Sequence, residues 1–336
     1  MIDLRSDTLT LPSKEMKEMM FSVKLGDDVF GEDPTVNLLE QKAAEMFGMD
    51  SAIYCPSGTM TNQIAINIHT QPGDEIICSR ESHIYNYEGG GVAKNSGASV
   101  RLIERENGLI NHEDILLNIN ADDIHCSKTS LVALENTSNR GGGVCYSLDE
   151  LLKIEKVCKQ TEIPLHLDGA RVFNAMVQKK HTPKSYGQIF DSISICLSKG
   201  LGAPVGSLLL GKSGFINQAR RVRKVFGGGM RQAGIIAAGG IYALENNVNR
   251  LADDHKRAKI IADAAKECSW IDAVFPVETN IVVFYVIEGK SNGDFIDKLE
   301  KDGIKCIPFG KGRVRMVTHL DISDRDVDLI CEKLKF

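Results

Sequence analysis

Three short stretches carry residue types that could do chemistry on a charged small molecule. In Cys55-Pro56-Ser57-Gly58-Thr59 an apolar run gives way to a helical one. Amides at a helix start, the hydroxyls of Ser57 and Thr59, and the small Gly58 make a cradle for a phosphate. Taken alone, an ordinary cap and turn is the better account of it. In His166-Leu167-Asp168-Gly169-Ala170-Arg171 the acid closes an apolar run beginning at Pro164. Open α/β sheets bind ligands at that end of a strand. A carboxylate there needs a cation or hydrogen bonds. The partner is either a pyridinium nitrogen, whose proton it would hold, or Arg171 in a salt bridge. In Ser198-Lys199-Gly200-Leu201-Gly202-Ala203-Pro204 a lysine follows another apolar run and sits among small residues. Glycines let a bound group approach the backbone closely, which suits a Schiff-base lysine. The competing reading is a solvated loop lysine.

The order of the three is more specific than any one of them. A phosphate cradle, an acid ending one strand and, about thirty residues on, a lysine ending the next are what a pyridoxal phosphate (PLP) enzyme of fold type I requires. Such a sheet sets phosphate, ring nitrogen and aldehyde carbon along one edge, with Lys199 holding the cofactor.

The elements that must position these residues can be read from the pattern. Residues 1–12 form an extended arm ending at Pro12; Ser13 caps a short helix, and Thr35 caps a second that stops at Gly48. Strand-type runs fall at 52–55, 75–79, 100–103, 130–134, 164–168, 192–197 and 207–210, with helical segments at 58–67, 86–95, 112–118 and 148–159. The alternation predicts a mostly parallel α/β sheet of seven strands covered on both faces. The last two runs are joined by a Gly/Pro turn and predict a hairpin, hence one antiparallel strand. A long helical stretch from Arg231 to about Glu267, broken near Asn246–Asn247, leads to a smaller α+β unit. The expected division is an arm (1–12), a PLP-binding large domain (13–246) and a small C-terminal domain (247–336).

Composition narrows the class. The chain has 336 residues, 43% hydrophobic and 25% charged, and a net charge of -5 spread without blocks. That disfavours a nucleic-acid binder. No apolar run is long enough to span a bilayer, and the first dozen residues mix charges unlike a secretory signal. The nine cysteines lie mostly in apolar runs, with no Cys-x-x-Cys pair. They read as reduced core thiols of a cytoplasmic protein, and no metal ligand set is assigned.

Longer motifs carry a family resemblance. LRSDTLT (4–10), GDDVFGEDPTV (26–36), PSGTMTNQ (56–63), SHIYNYEGGG (82–91), ENTSNRGGG (135–143), HLDGARVFNA (166–175), SKGLGAPVGSLL (198–209), GGGMRQAG (227–234) and VRMVTHLDIS (314–323) together resemble the low-specificity threonine aldolases of the fold-type-I PLP superfamily.

The resemblance implies retro-aldol cleavage of a β-hydroxy-α-amino acid, such as threonine or allo-threonine, to glycine and an aldehyde. It implies that Gly58 and Thr59 bind the phosphate and that His83 stacks on the cofactor ring. His125 is a second histidine for the β-hydroxyl; whether either histidine or a water is the base stays open. It further implies that Arg171, Ser6 and either Arg315 or Arg313 receive the substrate carboxylate. Lys224 and Arg231 would reach the site or phosphate of a neighbouring subunit, in a homo-oligomer built as a dimer of dimers. Two other fold-type-I reactions, β-elimination and transamination, use the same cofactor residues. A nucleotide-binding module is the reading from another class; no Gly-x-Gly-x-x-Gly fingerprint follows an early strand, and it gives Asp168 and Lys199 no joint role.

Overall fold

The computed structural model describes residues 1–336. Its large sheet has seven strands, in the spatial order Ser51–Cys55, Ser207–Gly211, Ser192–Cys196, Leu165–Gly169, Thr129–Glu135, Glu75–Ser79 and Ser99–Ile103. All neighbours pair in parallel except Ser207–Gly211, which is antiparallel to both of its neighbours. The expected hairpin therefore forms, and its second strand also zips the first strand of the sheet into place. Six of the strands are buried along almost their whole length, and the edge strand Ser99–Ile103 only at its last residue, as expected where helices cover both faces of all but the sheet edge. One consequence governs the rest. Ser57, Glu135, Asp168 and Lys199 each sit at, or one to three residues beyond, the carboxyl end of a parallel strand, so all four gather on one edge.

Local sequence explains where most elements start and stop. Ser13, Ser57 and Ser147 each accept a backbone N–H of the first turn that follows. The helix Pro34–Phe47 is capped by Asp33 rather than Thr35: its carboxylate accepts from the amides of Thr35 and Val36, and Pro34 occupies the first turn. The helix expected over 86–95 does not form. A single turn at His83–Asn86 and a wide turn at Val92–Ser96 flank Gly89 and Gly90, both with positive φ.

The small domain is a four-stranded antiparallel sheet, Ile307–Pro308, Arg313–Val317, Ile281–Val286 and Ile271–Val274 in order. The helices Asn292–Lys301 and Asp324–Lys333 flank it. The long helical stretch breaks where expected, after Asn246, giving the helices Gly234–Asn246 and Leu251–Lys266. The second bridges the two cores: Leu251 packs with the large sheet, whereas Ala258, Ile261, Ala262 and Ala265 pack with the small domain. The N-terminal arm is not free. Ile2–Asp3 pairs in parallel with Ile304–Lys305, and Ile2 and Leu4 are buried in the small-domain core. The arm then crosses back toward the large sheet, carrying Ser6 and Asp7 between the domains.

Candidate active site

Pro56, Ser57, Gly58, Thr59, Asn62, His83, Asp168, Ala170, Cys196, Ser198 and Lys199 line one cavity of about 180 Å³ at the carboxyl edge. The helix Gly58–His69 points its amino end into it. Ser57 Oγ accepts from the Met60 amide at 3.2 Å, which leaves the Gly58 and Thr59 amides as first-turn donors that the helix cannot use itself. A Cβ at Gly58 would stand 2.6 Å from Cys196 Sγ, so only glycine lets this helix seat against the Ser192–Cys196 strand. The glycines after Lys199 do different work from that expected. Gly202 takes a left-handed turn at φ +78°, and a Cβ on Gly200 would press on Leu251 at 3.1 Å. They shape the turn and seat the bridging helix.

Asp168 is buried and forms no salt bridge; Arg171, the alternative partner, pairs elsewhere. Its carboxylate accepts from Asn62 Nδ2 at 3.0 Å and from the Ala170 amide at 3.2 Å. Two further acids lie close by. Glu88 accepts from Asn62, from Gln63 and, at 3.0 Å, from His83 when Nδ1 carries the proton. Glu135 stands opposite Asp168 in the strand register. Burial and the charge of Asp168 push its carboxyl up to about 7, although its two oxygens accept from the His83 and Asn139 amides. Burial disfavours a charged His83, but the Glu88 hydrogen bond and the charge of Asp168 outweigh it, and the imidazole pKa is raised. Behind this layer, His166 contacts Asn62 at 3.1 Å and Ser192 at 2.9 Å, and burial drives its pKa down to about 3. It is therefore a neutral buttress.

A second half-site adjoins the first and has the opposite charge balance. Arg171 makes a two-pronged pair with Asp7, each contact 2.7 Å, with both side chains buried. Despite burial, that guanidinium holds the Asp7 carboxyl far below the usual carboxylate range. Arg315 donates to Asn139 Oδ1 at 2.9 Å and to the Arg5 carbonyl at 3.0 Å, while its Nε is buried without a partner. Burial and the neighbouring Arg171 bring Arg315 down to about 10. Arg313 is the half-buried alternative, with its guanidinium 5.8 Å from the Phe309 ring and 6.0 Å from that of Phe275. Ser6 caps the short turn Asp7–Leu9 beside this group.

Comparison with known proteins agrees with the geometry. The family model described as beta-eliminating lyase matches residues 3–288. The low specificity L-threonine aldolase of Escherichia coli K12 is 42% identical over 96% of this chain and 95% of its own. A probable low-specificity L-threonine aldolase 2 of Arabidopsis thaliana is 40% identical over 98% and 95%. The chain belongs to the low-specificity L-threonine aldolase family. Its fold is that of the PLP fold-type-I enzymes: a solved threonine aldolase of Leishmania major superposes with a TM-score of 0.87 at 21% identity, covering 99% of this chain and 98% of the other.

Three expected site residues lie apart from this cavity in the protomer. His125 is exposed in the loop before Thr129–Glu135, at the amino end of that strand, and pairs with Asp123 at 2.7 Å. The cavity is built at the carboxyl end, so His125 does not stand beside the β-hydroxyl position of its own chain. Lys224 is exposed at the end of the helix Ser213–Val225, and Arg231 forms an exposed pair with Asp27 at 3.0 Å. Conversely, Asp7, Asn62, Glu88, Glu135 and Asn139 belong to the site without having been singled out. Each lies inside one of the family motifs, but single acids and amides in a loop carry no local signal.

Proposed function

We propose that this chain is a PLP-dependent aldolase that cleaves threonine, allo-threonine and related β-hydroxy-α-amino acids to glycine and an aldehyde. The observation that carries the reading is the pair of adjoining half-sites with opposite charge. Asp168, Glu88 and Glu135 outnumber the cations beside the cavity, and Arg171 with Arg315 outnumber Asp7 next to it. A protonated ring nitrogen compensates the first, and a substrate carboxylate the second.

The residues fit the cofactor. The Gly58 and Thr59 amides with the Ser57 and Thr59 hydroxyls would hold the phosphate. Asp168, fixed by Asn62, would keep the ring nitrogen protonated, and the half-buried His83 supplies an aromatic face. Lys199 is the only lysine lining the cavity and would make the covalent attachment. Bound PLP supplies an electron sink for the pair released when the Cα–Cβ bond breaks.

The chain's own groups do the rest. Arg315 and Arg171 bind the substrate carboxylate, with Arg315 favoured over Arg313 by its burial and its unpartnered Nε. Ser6, the neighbour of Asp7 in the arm, would add a hydroxyl. Bond cleavage requires the β-hydroxyl to lose its proton. His83 Nε2, or a water held by it, is the acceptor the cavity offers, with Glu88 holding the other ring nitrogen. Protonation at Cα, with Lys199 as the near donor, completes glycine. Lys224 and Arg231 extend toward a second copy in a homo-oligomer, where they would complete the partner's site; His125 is exposed and open to the same use.

Aldehyde release from L-threonine and L-allo-threonine by PLP-loaded protein, coupled to an NADH-dependent alcohol dehydrogenase, tests the reading. Release from both is expected. No release from either, with cofactor bound, would overturn it in favour of transamination or β-elimination.

A further inference from the structure

One buried acid of the site, beyond its share in the charge balance, has no part in binding or proton transfer. Glu135 ends the strand Thr129–Glu135, is only 8% exposed and forms no salt bridge. Its Oε2 accepts from the His83 amide at 2.7 Å and its Oε1 from the Asn139 amide at 2.8 Å. Asn139 in turn accepts from Arg315 Nη1 at 2.9 Å through its side-chain oxygen. The two segments joined here come from separate connections of the sheet. One carries the imidazole that faces the cofactor; the other aims the guanidinium that faces the substrate carboxylate.

We propose that Glu135 is a positioning residue that ties His83 and, through Asn139, Arg315 to the end of one rigid strand, so that ring face and carboxylate fork keep a fixed separation. The assignment rests on the PLP-aldolase reading of the site. Only a carboxylate suits the place. Two N–H donors converge on it, and an amide of the same shape offers one oxygen and would turn a donor toward the other N–H. An apolar residue would leave both amides buried and unsatisfied. Both contacts are to backbone, so the clamp fixes the course of the chain and not merely a side-chain rotamer.

The test uses PLP-loaded wild type, Glu135→Gln, Asn139→Ala and the double variant. The affinity for glycine is read from the change in the cofactor's visible band, with kcat and KM for L-allo-threonine beside it. Glu135→Gln is expected to weaken glycine by about tenfold and also to lower kcat, since it releases both segments. Asn139→Ala is expected to raise KM and weaken glycine comparably with a smaller fall in kcat, since it releases only Arg315. The double variant should bind glycine no worse than Glu135→Gln, because the two substitutions act through the same guanidinium. Glycine affinity and kcat within twofold of wild type in Glu135→Gln, or fully additive losses in the double variant, would overturn the assignment. Should Glu135→Gln fail to fold or to hold PLP, Asn139→Ala decides alone, and unchanged glycine affinity there overturns the link to Arg315. A wild type that carries PLP but does not respond to glycine would overturn the aldolase reading and this assignment together.

Discussion

The two half-sites differ in charge and also in how they are assembled. The cofactor half is made from strand ends: Asp168 is the next-to-last residue of its strand, and Ser57–Thr59 and Lys199 follow theirs within four residues. The carboxylate half is made from pieces that never neighbour one another in the chain. Asp7 meets Arg171 across 164 positions, and Arg315 meets the Arg5 carbonyl across 310. A sheet edge orders its ligands by topology alone, whereas the arginine cluster depends on the docking of two domains and an arm. The acid-rich half should therefore tolerate changes that leave the sheet intact, and the arginine half should be sensitive to anything that moves the small domain.

The largest expected effect breaks the cofactor half. Lys199→Ala should lose the visible band and all measurable turnover while keeping its circular dichroism, because a half-buried cavity lysine adds little to the core. Retained turnover would remove Lys199 from the mechanism. Asp168→Asn should still bind PLP but turn over poorly, since a neutral amide cannot hold the ring-nitrogen proton; an undiminished kcat would count against it.

Next in size is the arginine half. Arg315→Lys removes the fork and should raise KM for L-allo-threonine by about 30-fold or more with a smaller change in kcat. Arg313→Lys should move KM far less. The reverse ranking would pass the carboxylate to Arg313.

Asp7→Asn tests the docking itself. Leaving Arg171 buried without its counter-charge should cost about 3 kcal/mol of stability in denaturant unfolding. The Asp7 carboxyl is held below its unfolded value, so its contribution is complete above the unfolded pKa and is lost as pH falls toward the folded one. The Asp7→Asn difference should therefore shrink in acid. A difference independent of pH would mean that the pair is not what stabilises the junction.

The last effect, spread over a pH range and absent near neutrality, concerns the layer behind the site. Burial lowers His69 to about 4 and His166 to about 3, so both stay neutral in the folded chain below the pH at which the unfolded chain protonates them. Stability should fall as pH drops from about 6.5 toward 4, and His69→Gln should flatten that fall by about 1.4 kcal/mol per pH unit. An unchanged slope in thermal unfolding would show that the histidine is solvated.

Legibility in the sequence follows the same division. Six of the seven strands are readable because each is a short buried apolar run, the partly exposed edge strand Ser99–Ile103 through its β-branched and apolar residues, and the candidate cofactor residues because each sits at or just past the end of one. The 86–95 segment was misread because polar spacing suggested a helix that Gly89 and Gly90 interrupt. His125 was placed by resemblance alone, and nothing in its local sequence says at which end of a strand it emerges. Asp7, Glu88, Glu135 and Asn139 had no local sign, since an acid or amide in a loop declares its role only through the group it meets.

The sequence by itself determined the order of elements, the single antiparallel strand, the placing of Lys199 and Asp168 at the carboxyl edge of the sheet, and the family. All of these depend on contiguous residues, whose spacing along a strand or helix is set by covalent geometry. Only the tertiary structure decided that the arm anchors in the small domain, that Arg171 is paired with Asp7, that Arg315 is the buried arginine, and that Glu135 joins two parts of the site. Those are contacts between residues distant in the chain. They form because burying a charge or an amide requires a partner, and which partner is available depends on how the domains come together.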